Sequence, residues 1–268
     1  MSTSSRIKNH ILKLLIVVFG IVFAISAYML ISYYLENQAE EEKFDRLRMT
    51  IAENSPSAKY EEKISAYQQF YDENNDFVGW LKVYNTVVDY PVMQTPGDEQ
   101  FYLHNDFMRE YSYPGTLFAS ELSNLQTPSD VVTIYGHNMK IGSMFGSLGK
   151  FTDPEYAAEH KYIRFDTLNE RFDYEVCAVF KVTVKPDKNG QVPFNYQNVI
   201  DFPDEAAYNN YIETVRKYAL YETGVPFQYG DKFILLSTCE YSLTEGRLIV
   251  MAKKIPVDPS LFFPEMVV

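Results

Sequence analysis

Between Leu14 and Leu35 the chain runs for 22 residues without a charged side chain, LLIVVFGIVFAISAYMLISYYL. As a helix this stretch rises about 33 Å, enough to cross the roughly 30 Å hydrocarbon core of a bilayer. Arg6, Lys8 and Lys13 precede it, and Glu36, Glu40, Glu41 and Glu42 follow. The positive-inside bias therefore places residues 1–13 in the cytoplasm and the chain beyond Leu35 outside the cell. Tyr28, Tyr33 and Tyr34 fall towards the outer interface, where aromatic belts form. Ala24, Ser26 and Ala27 are small enough for a signal-peptide cleavage site, but a signal's apolar region spans about 7–15 residues. This run continues past them through Tyr28-Met-Leu-Ile, so residues 14–35 read as a retained single-pass anchor.

The net charge of −12 is unevenly placed, because residues 1–35 hold Arg6, Lys8 and Lys13 and no acid, which leaves −15 on the remainder. A body that acidic argues against nucleic acid as a partner. At 268 residues and 46% hydrophobic, the chain can bury the core of one domain with a small appendage. Its 22 Tyr and 19 Phe lean towards β structure. Residues 36–75 are charged and helix-prone, with Phe44, Leu47 and Ile51 and then Ile64, Tyr67 and Phe70 at helical spacings around a break at Asn54-Ser-Pro-Ser57. They read as a stalk helix and a second helix packed on the domain that fills 76–268.

From Phe77 the period changes. Short apolar runs at 78–84, 87–93, 115–119, 131–135, 162–165 and 172–184, and a final pair at 232–239 and 247–252, are separated by Asn, Asp, Gly and Pro turns. About eight such strands predict a mainly β protein built as a closed barrel. One segment breaks the pattern: residues 203–220 carry Asp204 and Glu205 in a first turn, Arg216 and Lys217 in a last, and Gly224 beyond, which predicts a helix inserted in the loop before the final hairpin.

That hairpin, Lys232-Phe-Ile-Leu-Leu-Ser-Thr-Cys239-Glu-Tyr-Ser-Leu-Thr-Glu-Gly-Arg247, brings a cysteine at one strand end beside an arginine at the start of the next. A guanidinium near a thiol favours the nucleophilic thiolate and steadies negative charge developing on a carbonyl. Taken alone, the pair reads more readily as a small buried hydrophobe and a solvated strand end. His137, in Gly136-His137-Asn138 after the strand Val131–Tyr135, adds an acid/base candidate at another strand end. Of the other histidines, His10 precedes the anchor, His160 lies in a polar segment, and His104 is the rival. No Cys/His cluster has metal-ligand spacing, and no cofactor is implied. Cys177 falls by alternation on the face of its strand opposite Phe172, Tyr174, Val176, Ala178 and Phe180. It reads as passive, with a Cys177–Cys239 disulfide the lesser alternative.

Thr133-Ile-Tyr-Gly-His137-Asn-Met, Leu236-Ser-Thr-Cys239-Glu-Tyr and Gly246-Arg247-Leu-Ile-Val resemble, in order, the three motifs of the sortases, cysteine transpeptidases that attach proteins to the cell wall of Gram-positive bacteria. The likeness runs from about Phe77 to Ile255 and is nearest class B: the anchor is N-terminal, helices precede the barrel, and a helix interrupts the loop before the cysteine strand. The eight-residue step from Cys239 to Arg247 fits as well. The second hydrophobic segment and aromatic lid of pilin-polymerising members are not evident.

The resemblance implies a sortase-type barrel with Cys239 as nucleophile, His137 as general acid/base and Arg247 orienting the substrate and its oxyanion. Tyr135, Leu103, Ser237, Thr238 and Glu240 would lie along a groove for a C-terminal sorting motif of the form Asn/Ser-Pro-x-Thr-x on surface-protein substrates. A peptidoglycan precursor amine would accept the acyl group, and the loop 186–230 would help to exclude water. An extracellular cysteine protease shares the Cys/His pair but usually orients its His with Asn or Asp. A non-catalytic anchored binding domain would leave His137 without a role.

Overall fold

The computed structural model describes residues 3–54 and 60–257. Ser55, Pro56 and Ser57, where the sequence predicts a helix break, lie outside the described residues, as does the 258–268 end of the predicted barrel domain. The chain divides in sequence into two compact units, one ending at Arg46 and one beginning at Leu47.

In the first unit, helix α1 (Thr3–Asn54) starts before the uncharged stretch and continues beyond it into the second unit. Residues 36–54 hold no Gly or Pro and include five Glu, two Arg and two Ala, all good helix formers, so nothing in them stops a helix. Along the apolar stretch Phe19 and Phe23 are 71% and 76% exposed.

In the second unit, α2 (Tyr60–Glu73) leads into β1 (Phe77–Val83), β2 (Asp89–Met93), β3 (Leu117–Ala119) and β4 (Val131–Tyr135). A short helix α3 (Pro154–Glu159), β5 (Tyr162–Thr167), β6 (Arg171–Thr183), α4 (Glu205–Tyr218), β7 (Phe233–Glu240) and β8 (Gly246–Ile255) follow. The strands close in the order β1-β2-β3-β4-β7-β8-β6-β5, the eight-stranded barrel that the sequence predicts. β2 with β3 and β4 with β7 pair in parallel, and the other neighbours are antiparallel.

β7 is buried from Phe233 to Thr238, an apolar run expected of a strand covered on both faces. Its outer cover is α4, whose Tyr208, Tyr211, Ile212 and Val215 repeat at helical spacing and sink into a cluster with Phe180, Phe194, Tyr196, Phe233, Leu235 and Ile249. Full burial of each such side chain contributes about 1.5–3 kcal/mol. The Asp204 carboxylate caps α4 by accepting from Ala207 N at 2.8 Å. A second cluster under α2 joins Tyr67, Phe70, Phe77, Trp80, Tyr102 and Phe107, with Leu47, Leu103 and Tyr135 packed against it.

Cys177 lies opposite Phe172, Tyr174 and Val176 as expected, but on the same side as Ala178, Phe180 and Val182. Val176 pairs with Ala252 but Ala178 with Met251, so an extra residue is inserted at Cys177. Such a bulge flips the alternation. Ala178, Phe180 and Val182 therefore join the cluster under α4, apart from Phe172, Tyr174 and Val176, and Cys177 lies with them, 4% exposed. Its thiol is free and donates to the Met251 carbonyl at 3.5 Å.

Candidate active site

Cys239 and Arg247 are directly paired residues of β7 and β8. The turn between them is tight enough to require glycine at its end: a Cβ on Gly246 would stand 2.3 Å from the Glu240 carbonyl oxygen. Arg247 donates from Nη1 to the Gly246 carbonyl at 2.9 Å, which braces the guanidinium at the hairpin mouth. Cys239 is half-buried and free.

His137 arrives from the other side of β7. β4 pairs in parallel with β7, Tyr135 opposite Ser237, so the residue two beyond Tyr135 lies level with the cysteine end of β7. The crossing is close-packed, and a Cβ on Gly136 would meet the side chains of Leu117 and Phe145 at 2.5 and 2.8 Å. Thr238 Oγ1 donates to the Gly136 carbonyl at 2.7 Å, and Asn138 Nδ2 donates to the Cys239 carbonyl at 2.7 Å. Side-chain bonds thus stitch the His137 turn to both ends of the Thr238–Cys239 step.

The His137 ring has His104 at 5.1 Å and a parallel Tyr113 at 6.2 Å between ring centroids. Burial first and the neighbouring His104 second lower its pKa, against a hydrogen bond to the Leu103 backbone. Its Nε2 is buried without a hydrogen-bond partner. Orphaned buried nitrogens are rare.

Cys239, His137 and Arg247 line one cavity of about 130 Å³ together with Leu103, Phe118, Tyr135, Gly136, Ser237, Thr238, Glu99, Gln100 and Gln197. Four of the five groove residues named from the sequence are therefore there. Ser237 exchanges a 2.7 Å hydrogen bond with Tyr196 Oη, and Tyr135 Oη accepts from Gln197 at 3.3 Å. The loop before β7 meets the cavity through Gln197, while α4 lies over the apolar cluster. Glu240 is not among the lining residues. Side chains alternate along a strand, and Glu240, next to Cys239, points away to an ion pair with Lys181 at 2.9 Å. Although its burial acts in the other direction, the Ser242 N–H and Lys181 hold its carboxyl below the usual range.

Glu99, Gln100, Gln197 and Asn138 were not singled out by their sequence context. Each is a polar residue outside the α-helices and strands, indistinguishable in sequence from a solvated one. Among the described residues no three His, Cys, Asp or Glu side chains converge as a metal would require.

Comparison with known proteins agrees with this geometry. The sortase domain model matches residues 81–255. Sortase B of Listeria monocytogenes is 26% identical over 253 residues, covering 93% of this chain and 99% of that relative. The crystal structure of sortase B from Bacillus anthracis in complex with AAEK1 superposes with a TM-score of 0.68 at 29% identity, over 83% of this chain and 99% of that one. A Staphylococcus aureus sortase B–substrate complex, 24% identical, shares the fold with a TM-score of 0.69 over 84% of this chain and all of that one. With barrel order, hairpin and motifs in agreement, the chain belongs to the sortase family, class B, and is a cysteine transpeptidase of cell-wall sorting.

Proposed function

We propose that this chain is a membrane-anchored sortase that cleaves a C-terminal sorting motif of the Asn/Ser-Pro-x-Thr-x type and joins the protein to an amine of a peptidoglycan precursor. The observation that carries this reading is the convergence of Cys239, His137 and Arg247 on one cavity from three different strand ends. A fold relative, S. aureus sortase B, has been solved as a substrate complex.

In this reading the Cys239 thiolate attacks the carbonyl after the motif threonine. Arg247 faces the oxyanion that forms, and His137 protonates the departing amine. Its lowered proton affinity makes the imidazolium a stronger acid for that step. The resulting thioacyl enzyme is attacked by the acceptor amine, whose proton passes to His137 as the thiolate leaves. Tyr135, Leu103, Ser237 and Thr238 wall the motif, and Glu240 holds the hairpin end through Lys181.

Residues 14–35 act as the anchor, with the N-terminus in the cytoplasm and the barrel outside. An apolar helical window of mean hydropathy 2.8 with its large side chains exposed favours a lipid surrounding over water.

The test is mass spectrometry of the full chain in detergent, incubated with Asn/Ser-Pro-x-Thr peptides with and without triglycine, beside Cys239→Ala. The expected result is a thioacyl adduct on Cys239 and an amine-ligated product absent from the variant. Cleavage by water alone, unchanged by the amine, would favour a protease instead.

A further inference from the structure

The cavity at Cys239 holds a carboxylate that acyl transfer does not use. Glu99 lies just before the turn Phe101–Leu103 and lines the cavity with Leu103, Tyr135 and Gln197. Its Oε1 accepts from Ser120 Oγ at 2.7 Å and from the Glu121 N–H at 3.1 Å. Both bonds go to one oxygen, which fixes the carboxylate on the loop after β3 and leaves Oε2 over for a ligand. Among the residues lining the cavity Glu99 is the only carboxylate, and there is no lysine. The lone guanidinium, Arg247, is placed beside Cys239.

The charge is felt inside the cavity. Burial pushes up the phenols of Tyr135 and Tyr196, and Glu99 contributes to both as a lesser cause. A carboxylate held against such a wall loses part of its hydration. That loss is offset when a cationic side chain of a bound peptide meets the free oxygen, and an acidic side chain there is repelled.

We propose that Glu99 determines specificity in the transpeptidation, selecting sorting peptides with a basic side chain at a variable position of the motif and disfavouring acidic ones. This rests on the reading that the cavity takes the sorting motif. Glu99 touches no reacting atom, so its effect falls on the choice among peptides and not on the acyl transfer itself.

The experiment compares the full-length enzyme with Glu99→Gln and Glu99→Lys, scored by Cys239-dependent ligation of triglycine. The peptides place Lys, Gln or Glu in turn at the first, third and fifth motif positions. Glu99→Gln keeps the acceptor for Ser120 and Glu121 and removes only the charge, which guards against misfolding. The wild type is expected to favour Lys over Glu at one position by about tenfold in kcat/KM, the range of one charge-assisted hydrogen bond. Glu99→Gln should level that ratio and Glu99→Lys should invert it. Equal losses for all peptides, or an unchanged ratio, would overturn the proposal while leaving the sorting reading in place. Absence of any Cys239-dependent product from the wild type would instead overturn the sorting reading, and this inference with it.

Discussion

The two cysteines of this chain sit in the same sheet, both on strands paired to β8, and meet opposite surroundings. Cys177 is inserted by a bulge into the aromatic cluster under α4, donates to a carbonyl, and has its thiol pushed well up by burial, with Lys253 opposing only weakly. Cys239 stands at a strand end, half-buried, opposite an arginine and beside a histidine turn. The strands supply position, and burial separates the two thiols, one sealed in an apolar cluster and the other lining a cavity.

The sharpest way to break this contrast is to remove each sulfur. Cys239→Ala should abolish the thioacyl species and lower turnover on the order of 10⁴-fold or more, measured by mass spectrometry and ligation rate. Cys177→Ala should leave turnover nearly unchanged and lower stability by about 1 kcal/mol, read from denaturant melts. Native alkylation should label Cys239 alone, with Cys177 reacting only after unfolding. Equal labelling of both in the folded protein would refute the burial argument.

Next in size is the arginine. Arg247→Ala should cost about 10²–10³-fold in kcat, as loss of an oxyanion donor does. Arg247→Lys should recover only part, because a point charge does not reproduce the guanidinium fork. Steady-state kinetics that showed lysine fully equivalent would assign the position a purely coulombic role.

A smaller effect is expected at Asn138, whose amide holds the Cys239 carbonyl. Asn138→Ala should weaken the site by about 1 kcal/mol, equivalent to several-fold in kcat/KM, with less change in the melting temperature.

The smallest effect concerns His104. His104→Gln should raise the pKa of His137, followed by NMR titration of the imidazole, because one of the two causes lowering it is removed. The sign for stability follows: a histidine with a depressed folded pKa binds fewer protons folded than unfolded, so the fold loses stability as pH falls through about 6.5. His104→Gln should lessen that loss, and an unmoved titration would exclude the coupling.

Most strands were legible because short apolar runs set off by Asn, Asp, Gly and Pro turns answer to strands buried in a barrel, and β4 is read to the residue at Val131–Tyr135. α4 was legible from its charge order and caps. The bulge at Cys177 has no compositional mark, so alternation carried the reading of β6 onto the wrong face. The candidate site was legible where chemistry is rare, in one cysteine, one histidine and one arginine at strand ends. Where it is built from common polar residues, as at Glu99, Gln197 and Asn138, only the tertiary arrangement selects them. Glu240 follows from the resemblance alone, and its side chain turns to Lys181 instead of the cavity.

The parallel pairing of β4 with β7 has a further consequence. Asn138 and the Cys239 carbonyl it holds are 101 positions apart in sequence, with β5, β6 and α4 threaded between them. Bringing such distant segments together is entropically slow and is rewarded only when the intervening strands have found their places. Before the barrel closes, Cys239 and the His137 turn are therefore not held together. The topology itself delays the chemistry until the enzyme has folded.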